Sequence, residues 1–106
     1  MPQIEARLGA PGPEGTTLGS EIAHQFDEQT FVKVTRHLLQ ESVLADQIAY
    51  VVIGFATAVG AQLLATWLYD KMKARKGAWL EIDGERIPLD KDEIRRILAN
   101  KLTASE

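Results

Sequence analysis

The side chains of this chain best suited to proton transfer or metal binding are its two histidines. His24 stands three and four residues before Asp27 and Glu28, a spacing that on a helix brings an imidazole and a carboxylate to one metal ion. The second imidazole, His37, lies in a stretch of strand character, and solvated polar side chains are the better account of the pattern. Ser20 or Ser42 with a histidine and an acid could make a hydrolytic triad on paper, yet no Gly-x-Ser-x-Gly elbow holds either serine in place. Gly9, Gly12 and Gly15 before Thr16 and Thr17 faintly resemble a phosphate-binding loop. The lysine such a loop needs is missing, and Pro11 and Pro13 remove amide donors. Cysteine is absent, which excludes disulfides, thiolate nucleophiles, iron-sulfur clusters and cysteine-ligated zinc. The chain is therefore expected to be no enzyme, with no catalytic residue, no cofactor and no metal.

Composition narrows the remaining classes. The 106 residues suffice for one domain and leave no room for a second. With 12 basic and 15 acidic residues the formal net charge is −3, the wrong sign for a protein that binds nucleic acid by neutralising phosphates. Met1 to Glu5 lack the basic segment and apolar run of a secretory signal, so the expected location is the cytoplasm.

The positioning elements follow from periodicity. Ile4, Ala6 and Leu8 alternate with Gln3, Glu5 and Arg7, the period of a first strand. Residues 9–20, dense in Gly and Pro, predict a flexible loop. Ser20 is a fair N-cap for a short helix from Glu21 to about Glu28. Phe31 to Leu38, rich in β-branched residues, predicts a second strand, with Arg36 the exception on its apolar side. Asp83-Gly84 predicts a type I′ turn in a hairpin over 78–89, with Leu80 opposite Ile87 and Ile82 opposite Glu85 on one face, and Glu81 opposite Arg86 and Trp79 opposite Pro88 on the other. Asp90 and Glu93 form a capping pair before a terminal helix over 90–102.

Between these elements, Gln47 to Tyr69 carries no charge over 23 positions, in a chain where 25% of residues are charged. The stretch predicts one long apolar helix from about 44 to 75, ended by Lys71, Lys73, Arg75, Lys76 and Gly77. Such a helix either crosses a bilayer or is buried by protein. Its length matches the roughly 20 residues a span needs, and Tyr50, Trp67 and Tyr69 sit near its ends. A span, however, would leave 46 and 37 residues on its two sides, near or below the size that folds unaided, and would part the first two strands from the hairpin. A soluble fold is therefore expected: α+β, β-α-β-α-β-β-α, with the long helix packed on a four-stranded, mostly antiparallel sheet. A single-pass anchor in the inner membrane, C-terminus inside, is the alternative. Gly54, Ala58, Ala61 and Ala65 form a stripe of small residues open to close approach, while Val51, Val52, Phe55, Val59 and Leu63 form a bulky one. Whatever part of the helix stays bare is expected to be an interface.

Leu44-Ala45-Asp46, the apolar helix, Thr66-Trp67-Leu68 with its basic end, and Trp79-Leu80-Glu81-Ile82-Asp83-Gly84 before a terminal helix together resemble a family of small bacterial proteins, the effector-associated constant components. The last 60 residues carry the resemblance well and the first 40 in outline. It implies a non-enzymatic adaptor that recruits or regulates an effector in an NTP-dependent conflict system of antiphage immunity. The partner would be that effector, an NTPase, or a second copy of the chain. Candidate interaction residues are Trp79, Glu81, Arg86 and Pro88 on the outer face of the hairpin, and Gly54, Ala58, Ala61 and Ala65 on the helix.

Overall fold

In the computed structural model, which describes residues 3–38 and 45–104, the chain runs β1 (Gln3–Pro11), α1 (Gly12–Thr16), α2 (Leu18–Ile22), β2 (His24–Gln25), β3 (Phe31–Leu38), β4 (Asp46–Gly54), α3 (Ala58–Lys73), β5 (Trp79–Ile82), β6 (Glu85–Ile87) and α4 (Lys91–Ala104). The strands form one antiparallel sheet in the order β2-β3-β4-β1-β5-β6. The class is α+β, with six strands where four were expected. The two additional strands are β2, a two-residue edge piece opposite Phe31 and Val32, and β4, at the heart of the sheet.

β4 overturns the long helix. Asp46–Gly54 is extended, and the helix begins only at Ala58, beyond an N-cap at Thr57 whose hydroxyl accepts from the amide of Gly60 at 3.0 Å. The cause is local. Ile48, Val51, Val52 and Ile53 are β-branched and favour a pleated surface, and Gln47, Ala49, Val51 and Ile53 are buried while Ile48, Tyr50 and Val52 are half-exposed, a period of two. Gly54 to Thr57 then switches the period. No helix among the described residues is long and apolar enough to cross a membrane, so the spanning alternative has lost its helix. The predicted start at Leu44 lies outside the described residues, as does Ser42.

Residues 9–20 also differ from expectation: they complete β1 and form α1 and α2 instead of a loop. Leu18 and Ile22, both fully buried, tie α2 into the core, which a Gly- and Pro-rich composition does not reveal. Likewise no helix runs from Glu21 to Glu28; α2 ends at Ile22 and β2 follows.

One face of the sheet is covered. Ile4, Ala6, Leu8, Val32, Val51, Ile53, Leu80 and Ile82 point into a core closed by Ala61, Leu64, Leu68 and Met72 of α3 and by Ile94 and Leu98 of α4. Asp90 caps α4 by accepting from the amide of Glu93 at 3.0 Å. Asp83 and Gly84 take φ of 57° and 83°, the two left-handed positions of a type I′ turn. They set Ile82 opposite Glu85, Glu81 opposite Arg86 and Leu80 opposite Ile87. The ladder stops there, so Trp79 and Pro88 are not paired.

Three carboxylates tie the periphery to acid stability. The hydroxyl of Thr17 and the nearby charge of Arg75 hold Glu21 below the usual carboxylate range, the backbone amide of Gln29 lowers Asp27, and Arg96 lowers Glu93. A carboxyl with a depressed folded-state pKa contributes stability above its unfolded value, about 4.3 for Glu, and that contribution is lost as pH falls through the folded-state value. The melting temperature is thus expected to be level from about pH 6 to 8 and to fall below about pH 4.5. Glu93→Gln should flatten part of that acid slope, and an unaltered slope in acid melts of this variant would remove Glu93 as a contributor.

A candidate binding face on the open side of the sheet

Among the described residues no helix lies on the second face of the sheet, and its side chains follow from the same alternation that fills the core. β1 contributes Glu5 and Arg7, β4 Tyr50 and Val52, β5 Trp79 and Glu81, and β6 Arg86. β3 contributes Phe31 and Lys33 before an irregularity between Val34 and Arg36 shifts its register. That β-bulge moves Arg36 from the core side to the open side, which explains its exceptional place in the sequence pattern.

Strand register then lines up one transverse row. Arg36 lies opposite Tyr50, Tyr50 opposite Arg7, Arg7 opposite Glu81, and Glu81 opposite Arg86, so five strands each give one side chain. The Nη2 of Arg7 donates to both carboxylate oxygens of Glu81 at 2.8 and 2.7 Å, and this hydrogen bond raises the pKa of the guanidinium. Arg86 approaches the same carboxylate at 4.0 Å. Glu81 is therefore shared by two arginines and is the negative centre of the row.

The aromatic rings are held by cross-strand partners. Trp79 lies opposite Gly9 and Phe31 opposite Gly54, and in each pair the ring occupies the space a Cβ on the glycine would need. Trp79 is fixed further by donating from Nε1 to Asp46 at 2.8 Å. Each ring carries a cation at cation–π distance: Lys33 at 5.9 Å from Phe31, Arg36 at 5.3 Å from Tyr50 and Arg86 at 4.5 Å from Trp79. Arg7 sits 6.0 Å from both Tyr50 and Trp79 and joins the two halves. A shallow depression of ≈ 700 Å³ opens here, lined by Glu5, Arg7, Thr35, Tyr50, Val52 and Glu81 among others.

Compared with known protein families, with curated proteins and with solved structures, the chain matches none. The site must be judged on its own geometry. Trp79, Glu81 and Arg86 converge on this face as the hairpin pattern predicts, whereas Pro88 lies exposed beyond the end of β6. The small-residue stripe is not an accessible surface. Gly54 belongs to β4 beneath the Phe31 ring, Ala61 and Ala65 are fully buried in the core, and only Ala58 is exposed, at the first position of α3. Sequence reasoning missed Arg7, Tyr50 and Arg36. The polar side of the first strand was a signal for Arg7, but the strand identity of 46–54 and the bulge had to be known before all three could share a face.

The other candidates are placed differently. The His24 ring stacks on Trp67 at 4.5 Å, Asp27 accepts from the amide of Gln29 to close a turn, and His37 contacts the carbonyl of Gly15 at 3.3 Å. No cluster of His, Asp and Glu suited to a metal occurs among the described residues. Ser20 donates to the carbonyl of Thr17. Aromatic faces and fixed cations can hold a ligand, and the open face offers both.

Proposed function

We propose that this protein is a non-enzymatic adaptor whose open sheet face holds an acidic, extended segment of a partner protein. The observation that carries the reading is the pair of rings Tyr50 and Trp79, each bearing a cation and linked through Arg7, with Phe31 and Lys33 on the same face. Lys33 and Arg36 are exposed and form no ion pair among the described residues, so partner carboxylates would meet cations that are not already neutralised. Apolar partner side chains would lie on the rings between them. Glu5, Asp46 and Glu81 interrupt the cations, and the whole chain is acidic, which disfavours a continuous phosphate backbone and favours a peptide with spaced charges. The resemblance to effector-associated constant components supports placing the adaptor beside an effector or NTPase of a bacterial conflict system, with the chemical work done by that partner.

A fluorescein-labelled peptide of alternating glutamate and leucine tests the face by fluorescence anisotropy. Binding is expected, weakened about tenfold by Arg36→Glu and by Trp79→Ala, with a folded circular dichroism spectrum retained in both variants. Failure of the peptide to bind, or tighter binding of a single-stranded oligonucleotide of equal charge, would overturn the proposal.

A further inference from the structure

Arg7, Lys33, Arg36 and Arg86 share the open face of the sheet but are not equally available to a ligand. Lys33 and Arg36, both on β3, are exposed and form no ion pair among the described residues. Three strands away the situation is reversed. Arg7 donates to both oxygens of Glu81 at 2.8 and 2.7 Å, and Arg86 stands 4.0 Å from the same carboxylate. The Glu81 side chain is 12% exposed, between guanidinium side chains that are 42% and 62% exposed. A carboxylate so placed keeps its partners. Left unpaired it would be a charge largely removed from water, and a ligand carboxylate must compete with one that the register of β1 and β5 holds opposite Arg7 at all times.

The geometry points to Glu81 as the specificity-determining residue of this face, an internal carboxylate that occupies Arg7 and Arg86 and so divides the surface into a charged end at β3 and a neutralised end at β5 and β6. The inference rests on the reading of the open face as a site for an acidic segment, and it adds where each part of that segment goes. Partner carboxylates meet Lys33 and Arg36. Arg7 and Arg86, whose charge Glu81 already balances, lie 6.0 and 4.5 Å from the Trp79 ring and extend it with flat, weakly hydrated guanidinium surface. That end takes apolar or aromatic side chains of the partner. The segment recognised is thus acidic at one end and apolar at the other. A continuous polyanion finds matching charge only at β3, and at the far end the Glu81 carboxylate repels it.

Anisotropy titrations with the labelled glutamate and leucine peptide, and with a single-stranded oligonucleotide of equal charge, read this division. Glu81→Gln keeps the shape and an acceptor for Arg7 while removing the charge. It should bind the peptide about fivefold tighter or more and the oligonucleotide about tenfold tighter or more, because two further arginines come free. Asp92→Asn, which removes the same charge from an 83% exposed site on α4, should change either affinity less than about twofold. Adding Arg7→Gln to Glu81→Gln should abolish at least about half of the gain in binding free energy. In the otherwise wild-type protein, Arg36→Gln should weaken peptide binding about fivefold or more and Arg86→Gln about twofold, and both exposed sites leave folding intact. Peptide binding unchanged or weaker in Glu81→Gln, an equal gain in Asp92→Asn, a gain fully kept in the double variant, or equal losses in Arg36→Gln and Arg86→Gln would overturn the inference. Absence of peptide binding to the wild type overturns the open-face reading and this inference with it, whereas wild-type binding that is indifferent to Glu81 overturns this inference alone.

Discussion

Val51→Lys is expected to unfold the protein or lower its stability by at least about 4 kcal/mol, while Val52→Lys, one residue along, costs no more than about 1 kcal/mol. Val51 is 2% exposed on the core side of β4, the strand hydrogen-bonded to both β3 and β1. An ammonium there has neither water nor a carboxylate. Val52 points to the open face opposite Glu5 on one side and Lys33 on the other, where a lysine gains an acidic neighbour and keeps its water. A helix through this region would put both valines on one bulky stripe and penalise the two variants alike. Urea unfolding of the pair therefore tests the strand directly, and equal losses would sink it.

The second large effect is expected at Trp67, where Trp67→Ala should cost about 3 kcal/mol, in the range of aromatic truncations in cores. The indole joins residues 22–26, the end of α2 with β2 and the residue after it, to α3. Its Nε1 donates to the carbonyl of Ile22 at 2.9 Å, its face stacks on His24 at 4.5 Å, and Phe26 meets it edge-on at 5.5 Å. Lys71 lies 4.6 Å from the ring. Removing the indole unfastens α2 and β2 from α3, so amide exchange should accelerate over residues 18–26 more than in β1 or β4. Trp67→Phe keeps a ring and loses the hydrogen bond, for a cost of about 1 kcal/mol. A loss below that figure in Trp67→Ala would show that the cluster does not hold these segments.

What could be read from the sequence depended on whether a segment's period was unambiguous. β3 has the bounds expected from its β-branched residues, and the hairpin follows from Asp83-Gly84, because few other dipeptides accept two positive φ angles. The terminal helix was legible from the Asp90–Glu93 cap and the spacing of Ile94 and Leu98. Gln47 to Tyr69 was not, since an uncharged run satisfies a buried strand and a buried helix equally, and the change of period at Gly54 to Thr57 is marked by no charge or proline. Residues 9–20 misled in the opposite direction: glycine and proline hide two short helices, of which α2 is held by Leu18 and Ile22 rather than by propensity. Half of the candidate site, the hairpin's Trp79, Glu81 and Arg86, was visible for the same reason the hairpin was. The other half needed a sheet order in which residues 7, 36 and 50 become neighbours, a fact of tertiary structure that no local pattern encodes.

That sheet order also sets a timetable. Of the described strands β1 is made before the others, yet its two neighbours are β4 and β5, so one of its edges waits for residue 54 and the other for residue 82. At translation speeds of roughly 5–20 residues per second, the second edge stays unpaired for on the order of seconds after the first has closed. A nascent chain arrested between those points holds a strand with one unpaired, hydrogen-bond-hungry side, and α4, which packs on α3 and closes the core with Ile94 and Leu98, has not yet been made. The last quarter of the chain therefore completes the fold begun by the first ten residues, and C-terminal truncation exposes the N-terminal strand.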